Sequence, residues 1–277
     1  IAWLPQDFVK FLPPQTPLPS SLTGSISITG SDSEDVVLLS LNQRLPCVAD
    51  LQVDPPALLI DVFGATSNTN WITQEPSASG IQSVSWDQVS QDRYRLTIAL
   101  AYRQHWGYDI GYNGGSSLRI RLRRPPQIAS ADSVLKGMII AVDAGHGGDN
   151  RGAIGSTGVE EHFLNYVMSK HLERELVSRG AKVVLTRPDT INVSMLDRAA
   201  LAASSRARLL VSIHCNSIGY TSDPEQVKGM GTFYRYVAFQ PLANAVFDRL
   251  LETGLSPWGV TGSFNFSLNA PTQMPNV

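Results

Sequence analysis

Cysteine is nearly absent from this chain. Cys47 and Cys215 are the only two and fall in different halves of the 277 residues. That excludes the disulfide framework of a small secreted scaffold and reads as two ordinary half-buried thiols. No apolar run approaches the roughly 18 residues of a membrane span, so no membrane-spanning segment is expected. Excess charge of one sign is also missing: 22 Lys and Arg stand against 24 Asp and Glu, for a net charge of −2. Without a bulk positive field, nucleic acid is not an expected partner. The start, IAWLPQDFVKFLPPQTPLPSS, has no basic segment followed by an apolar run. An export signal is therefore expected to have been removed already, and its absence does not argue for a cytosolic home.

What is present is a hydrophobic share of 43% with 17% charged residues, the balance of a globular chain long enough for two cores. After a Pro-rich segment, 1–24, short apolar runs follow one another from Ser25 to Arg123: SISI, VVLLSL, ALLIDVF, IQSVSW, RYRLTIAL and LRIRLR. Turn clusters such as TGSDSED, DPPA, GATSNTN and YNGGSS separate them, which is the rhythm of an all-β sandwich over 25–123. Trp71, Trp86 and Trp106 are read as core residues of this half. Residues 124–137, with two prolines and small polar side chains, read as a linker. From 138 to 277 the period changes. Strands are expected at 138–142, 182–187, 207–214 and 230–236, with helices near 161–179, 194–206 and 240–254. Alternating strands and helices predict an α/β fold, a parallel-rich sheet flanked by helices, with its ligand site outside the carboxyl ends of the strands.

One stretch lies at such an end. DAGHGGDNRGAIGSTGVEEHF, residues 143–163, puts His146 in a glycine turn after the first strand and starts a helix at Glu160 and Glu161. It is not a P-loop, since no Lys followed by Ser or Thr closes it, and a dinucleotide fingerprint would need glycine where Asn150 stands. His214 closes the third strand. Two imidazoles and one carboxylate, with a fourth position left to water, form the ligand set of a catalytic zinc site. The apolar stripe of the first helix reads as Leu164, Val167, Met168, Leu172 and Leu176. Glu161 lies nearer its centre than Glu160, and His162 points away. A carboxylate aimed at the sheet needs a cationic partner. His105, His162 and His171 are read as structural.

The ordered motifs DAGHGG, GAIG, a Glu with Asn165 four residues on, LTRPD, LDRAALA and LLVSIHCNS resemble the zinc-dependent N-acetylmuramoyl-L-alanine amidases of the type 3 family over 138–277. The resemblance places the family's metal ligands on His146, Glu161 and His214. It leaves Arg187, Arg198 and Asp189 structural. It implies Zn²⁺ as cofactor, peptidoglycan as partner and an activator protein as a further one, with cleavage of the amide between N-acetylmuramic acid and L-alanine. The location it implies is outside the cytoplasmic membrane. The family's general base is a second glutamate on a late strand, expected a few residues beyond Val277, so no catalytic base is assigned within the sequence. Asn269 stands about where relatives carry an Arg, and the polar loop 217–228 is expected beside the site. Residues 25–123 are similar to AMIN domains, which implies wall targeting. The rival readings are a non-catalytic wall-binding protein that keeps the fold, a zinc deacetylase of the wall, and a structural adaptor that binds no metal.

Overall fold

Strict alternation of buried and half-buried residues organises the N-terminal half, as in Glu34–Leu41 and Ser117–Arg123, where every second side chain is buried. The computed structural model describes residues 13–128, 134–218, 222–223, 226 and 228–277. The expected Pro-rich segment, linker and polar loop thus fall partly outside the described residues. Ten strands make up the first half: β1 (Ser21–Gly30), β2 (Glu34–Leu41), β3 (Cys47–Gln52), β4 (Ala57–Phe63), β5 (Ala65–Thr66), β6 (Ile72–Gln74), β7 (Ile81–Ser90), β8 (Arg93–Leu100), β9 (Tyr108–Asn113) and β10 (Ser117–Arg123). They form one sheet ordered β5-β1-β2-β10-β9, with β6 also on β1, and a second ordered β3-β4-β8-β7. Ile28, Val37, Leu39 and Ile120 of the first sheet meet Leu58, Ile60, Leu96 and Ile98 of the second in one core.

The sandwich differs from the sequence reading in three places. β1 starts at Ser21, ahead of the run read from Ser25. β3 and β9, CVADLQ and YDIGYN, carry polar residues and tyrosines where an apolar run was sought. Trp71 is not a core residue: it is 68% exposed, with its indole N–H on Thr73 Oγ1 at 2.7 Å. Trp86 does pack inward, stacked on buried Tyr94.

The second half alternates strand and helix: β11 (Ile139–Ala144), α1 (Glu161–Ser178), β12 (Lys182–Leu185), α2 (Met195–Ser204), β13 (Leu209–Ile213), β14 (Met230–Phe233), α3 (Gln240–Leu251) and β15 (Pro257–Thr261). β12-β11-β13 form a parallel sheet, and β14 and β15 form a second parallel pair. Neighbouring residues of β11 serve opposite faces. Ile140 and Val142 pack with Leu172 and Leu176 of α1, while Ala141 packs with Ala202 of α2. Pro275–Val277 runs parallel beside β13, through Leu210 N–H on Pro275 O at 3.0 Å and Ser212 N–H on Val277 O at 2.9 Å. Among the described residues no helix is long and apolar enough to cross a membrane.

The two halves touch. Tyr108 N–H donates to Thr272 O at 2.8 Å and Thr272 Oγ1 returns a bond to Tyr108 O at 3.1 Å. Gly107, at φ +104, lies so close that a Cβ there would stand 2.3 Å from the Gln273 backbone. Only glycine fits both the angle and the approach.

Candidate metal centre

Three elements end at one point. β11 runs out at Ala144 into a turn in which His146, Gly147 and Gly148 all take positive φ, at 63°, 136° and 56°. A non-glycine residue in the left-handed region is held there by its surroundings. Here the surroundings are two buried arginines. Arg198 of α2 donates to Ala144 O at 2.8 Å and His146 O at 2.6 Å, and Arg187 donates to Ala144 O at 3.0 Å. Arg198 is anchored in turn by Asp143, which also accepts from Ser212 Oγ at 2.8 Å and from Thr186 Oγ1. One fully buried carboxylate thus ties β11, β13, α2 and Thr186, the residue that follows β12, together beneath the turn.

His146, Glu161 and His214 come together. One ligand atom from each lies within 4.8 Å of the others. His146 Nε2 is 3.2 Å from Glu161 Oε2, and His214 Nδ1 is 3.2 Å from Glu161 Oε1. The imidazoles meet edge to face with centroids 4.8 Å apart. Exposure rises across the group, from 5% for the Glu161 side chain through 24% for His146 to 47% for His214. The carboxylate is therefore the floor and the imidazoles the rim of a cup open on one side.

Glu161 is bound from all sides. Ala153 N–H donates to Oε2 at 2.9 Å, Cys215 N–H to Oε1 at 2.9 Å, and Asn165 Nδ2 to Oε1 at 3.3 Å. Burial alone would push its carboxyl up, but the bonds from His214, Ala153, Cys215 and Asn165 outweigh burial and bring it down to about 2. Asn165, fully buried one turn along α1, also reaches Gly145 O at 3.3 Å and so couples helix to turn. Glu160 faces elsewhere, paired with Arg151 at 2.8 Å.

The donor set fits a cation. His146 Nδ1 lies 2.9 Å from Asn150 Oδ1. That partner accepts only from an N–H, so in neutral His146 the lone pair is on Nε2, facing a carboxylate oxygen. A lone-pair nitrogen aimed at an ionised carboxylate, as His146 Nε2 is at Glu161 Oε2, repels it unless a positive charge stands between them. Room is made by glycine. A Cβ on Gly145 would stand 2.3 Å from the His214 ring, and one on Gly152 would stand 2.6 Å from His146 and 2.7 Å from Glu161 Oε2.

Other expectations separate here. His105 is buried with a ring nitrogen on Gln52 O at 2.7 Å, and His162 and His171 lie outside the group. Burial first and Glu161 second push the thiol of Cys215, next to His214, up. Asn269 is buried and bonds Phe233 O at 3.3 Å. The apolar stripe of α1 is corrected. Leu164, Val167 and Met168 are exposed at 36–40%, and the buried line is Glu161, Asn165 and Ser169, continued by Leu172 and Leu176. The first two turns lie over the metal cup, where polar partners for the carboxylate displace the hydrophobic face; only the last turns lie on the apolar sheet. Asn150 and Arg198 were missed as supports of the site. An Asn four residues after the turn histidine was a readable signal for the first, whereas the second needs the fold.

The family described as N-acetylmuramoyl-L-alanine amidase matches residues 140–277, and the AMIN domain matches residues 25–122. The chain is 36% identical over 98 residues to the N-acetylmuramoyl-L-alanine amidase LytC of Bacillus subtilis, covering 35% of this chain and 19% of that protein. It is 38% identical over 89 residues to the uncharacterized protein YqiI of the same organism, covering 32% and 43%. The chain thus spans less than half the length of either relative. Among solved structures, the catalytic domain of CwlV, an N-acetylmuramoyl-L-alanine amidase from Bacillus (Paenibacillus) polymyxa var. colistinus, aligns at 31% identity and a TM-score of 0.46, over 50% of this chain and 76% of that one. Through residues 140–277, and with an AMIN domain ahead of them, the chain belongs to the N-acetylmuramoyl-L-alanine amidase family.

Proposed function

We propose that the chain is the AMIN and catalytic part of a zinc-dependent peptidoglycan hydrolase that works outside the cytoplasmic membrane and cleaves the amide between N-acetylmuramic acid and L-alanine. The observation that carries the reading is the convergence of His146, Glu161 and His214 to within 4.8 Å in a cup open on one side. In this reading those three residues hold the ion. Zinc bound by two imidazoles and a carboxylate supplies a Lewis acid for the scissile carbonyl and brings the pKa of a coordinated water to about 7. The protein's own part is orientation. Asn150 keeps His146 Nε2 free to bind, the bonds on Glu161 hold it ionised, and the arginine-braced turn fixes the approach of His146. The open side beside His214 admits the substrate amide.

The division into a targeting sandwich at 25–123, a linker at 124–137 and a catalytic domain from 138 onward is part of the reading, as is a partner protein that activates the enzyme. Digestion of purified peptidoglycan by the full-length protein, with mass analysis of the products, tests it. Stem peptides with a free L-alanine amine are expected, and none with His214→Ala. Release of acetate instead would establish a deacetylase, and no product from a zinc-loaded protein supplied with its partner would leave a wall-binding one.

A further inference from the structure

Between the two halves lies a cavity of about 280 Å³, lined by Glu34 and Arg123 of the sandwich and by Gly137, Arg206 and Arg208 of the α/β half. Three guanidiniums face one carboxylate. Glu34 is the only acid in the lining among the described residues, and its Oε2 is 3.6 Å from Arg206 Nη2. The other two arginines each give one donor to a backbone carbonyl, Arg123 to Ala207 O and Arg208 to Arg124 O at 3.1 Å. Such bonds occupy a donor but cancel no charge. Burial, then Arg208 and Arg206, push the Arg123 guanidinium down to about 10, and burial followed by Arg206 lowers that of Arg208. The charges repel one another across the cavity.

Arg206 adds an independent sign. It follows the C-cap Ser205 of α2 at φ 60°, with its N–H on Ala203 O at 3.1 Å. At this position the left-handed backbone makes glycine the usual residue. The chain instead keeps an arginine there, at the wall of the cavity.

We propose that this cleft binds a phosphate-class oxyanion, which bridges the two halves through Arg123, Arg206 and Arg208. The planar guanidinium fork matches phosphate oxygens in pairs. A cavity of about 280 Å³ takes a single phosphate or a small phosphate ester rather than a polymer groove's worth of charge. Calorimetric titration of sodium phosphate into the full-length protein at constant ionic strength tests this. One site per chain is expected, the same with and without chelator, which separates it from any metal-borne phosphate. Arg206→Gly, which suits the backbone, weakens binding about tenfold. Arg208→Gln keeps a donor for Arg124 O and does the same, and the double variant abolishes binding. Phosphate raises the Tm of the wild type but not of the double variant. Glycerol 3-phosphate, titrated in parallel, decides the source: equal or tighter binding than phosphate indicates an esterified ligand, weaker binding the free anion. Heats that do not saturate, or an unchanged affinity in Arg206→Gly, would overturn the proposal.

Discussion

Arg198→Met lowers the unfolding free energy by about 3–5 kcal/mol, the range for breaking a buried ion pair by removing one partner. Arg198 and Asp143 are both fully buried, 3.2 Å apart. Methionine fills much of the volume but leaves the buried Asp143 side chain with only the hydroxyls of Thr186 and Ser212 as side-chain hydrogen-bond partners among the described residues. It also strips donors from Ala144 O, His146 O and Val193 O. Removing both charges with Asp143→Leu and Arg198→Met together costs less than the sum of the single changes, because no orphaned charge remains. Urea unfolding of the metal-free protein measures this without contribution from bound ion. A loss below about 1 kcal/mol for Arg198→Met would show that the pair does not hold the turn.

Gly145→Ala separates binding from folding. Gly145 lies outside the left-handed region, so its backbone accepts alanine, but the new methyl stands 2.3 Å from the His214 ring. The ring sits at the rim and is 47% exposed, so it swings outward rather than unfolding the sheet. Zinc affinity then falls by about 100-fold, the upper end of what loss of supporting groups costs a metal site, while apo stability changes by less than about 1 kcal/mol. Competition with a chromophoric chelator reads the first quantity and urea unfolding the second. Gly111→Ala is the control, since a Cβ there meets nothing within 4 Å. Equal affinity in Gly145→Ala and wild type would mean that His214 is not a ligand.

Much of this was legible in the chain, and the reason differs by residue. His146 and His214 could be found because strand ends place side chains at one edge of a parallel sheet, and the strands themselves are apolar runs. Glu161 could be told from Glu160 by helix angle, and it is the buried one. The helix stripe misled because periodicity marks apolar residues, whereas the start of α1 is pinned by hydrogen bonds to Glu161 and Asn165. Trp71 misled for a related reason: size favours burial, but an indole N–H satisfied by Thr73 two residues away is content at the surface. Arg198 was read as structural. That it grips the histidine turn through two carbonyls depends on α2 lying against β11, a contact no spacing along the chain reveals.

Anomalous diffraction at the zinc edge, on crystals of the full-length protein grown with zinc, tests the account most directly. It predicts a single strong peak at bonding distance from His146, Glu161 and His214, absent in His146→Ala. A peak lying elsewhere, or none in a crystal where the three side chains keep their present arrangement, would contradict it.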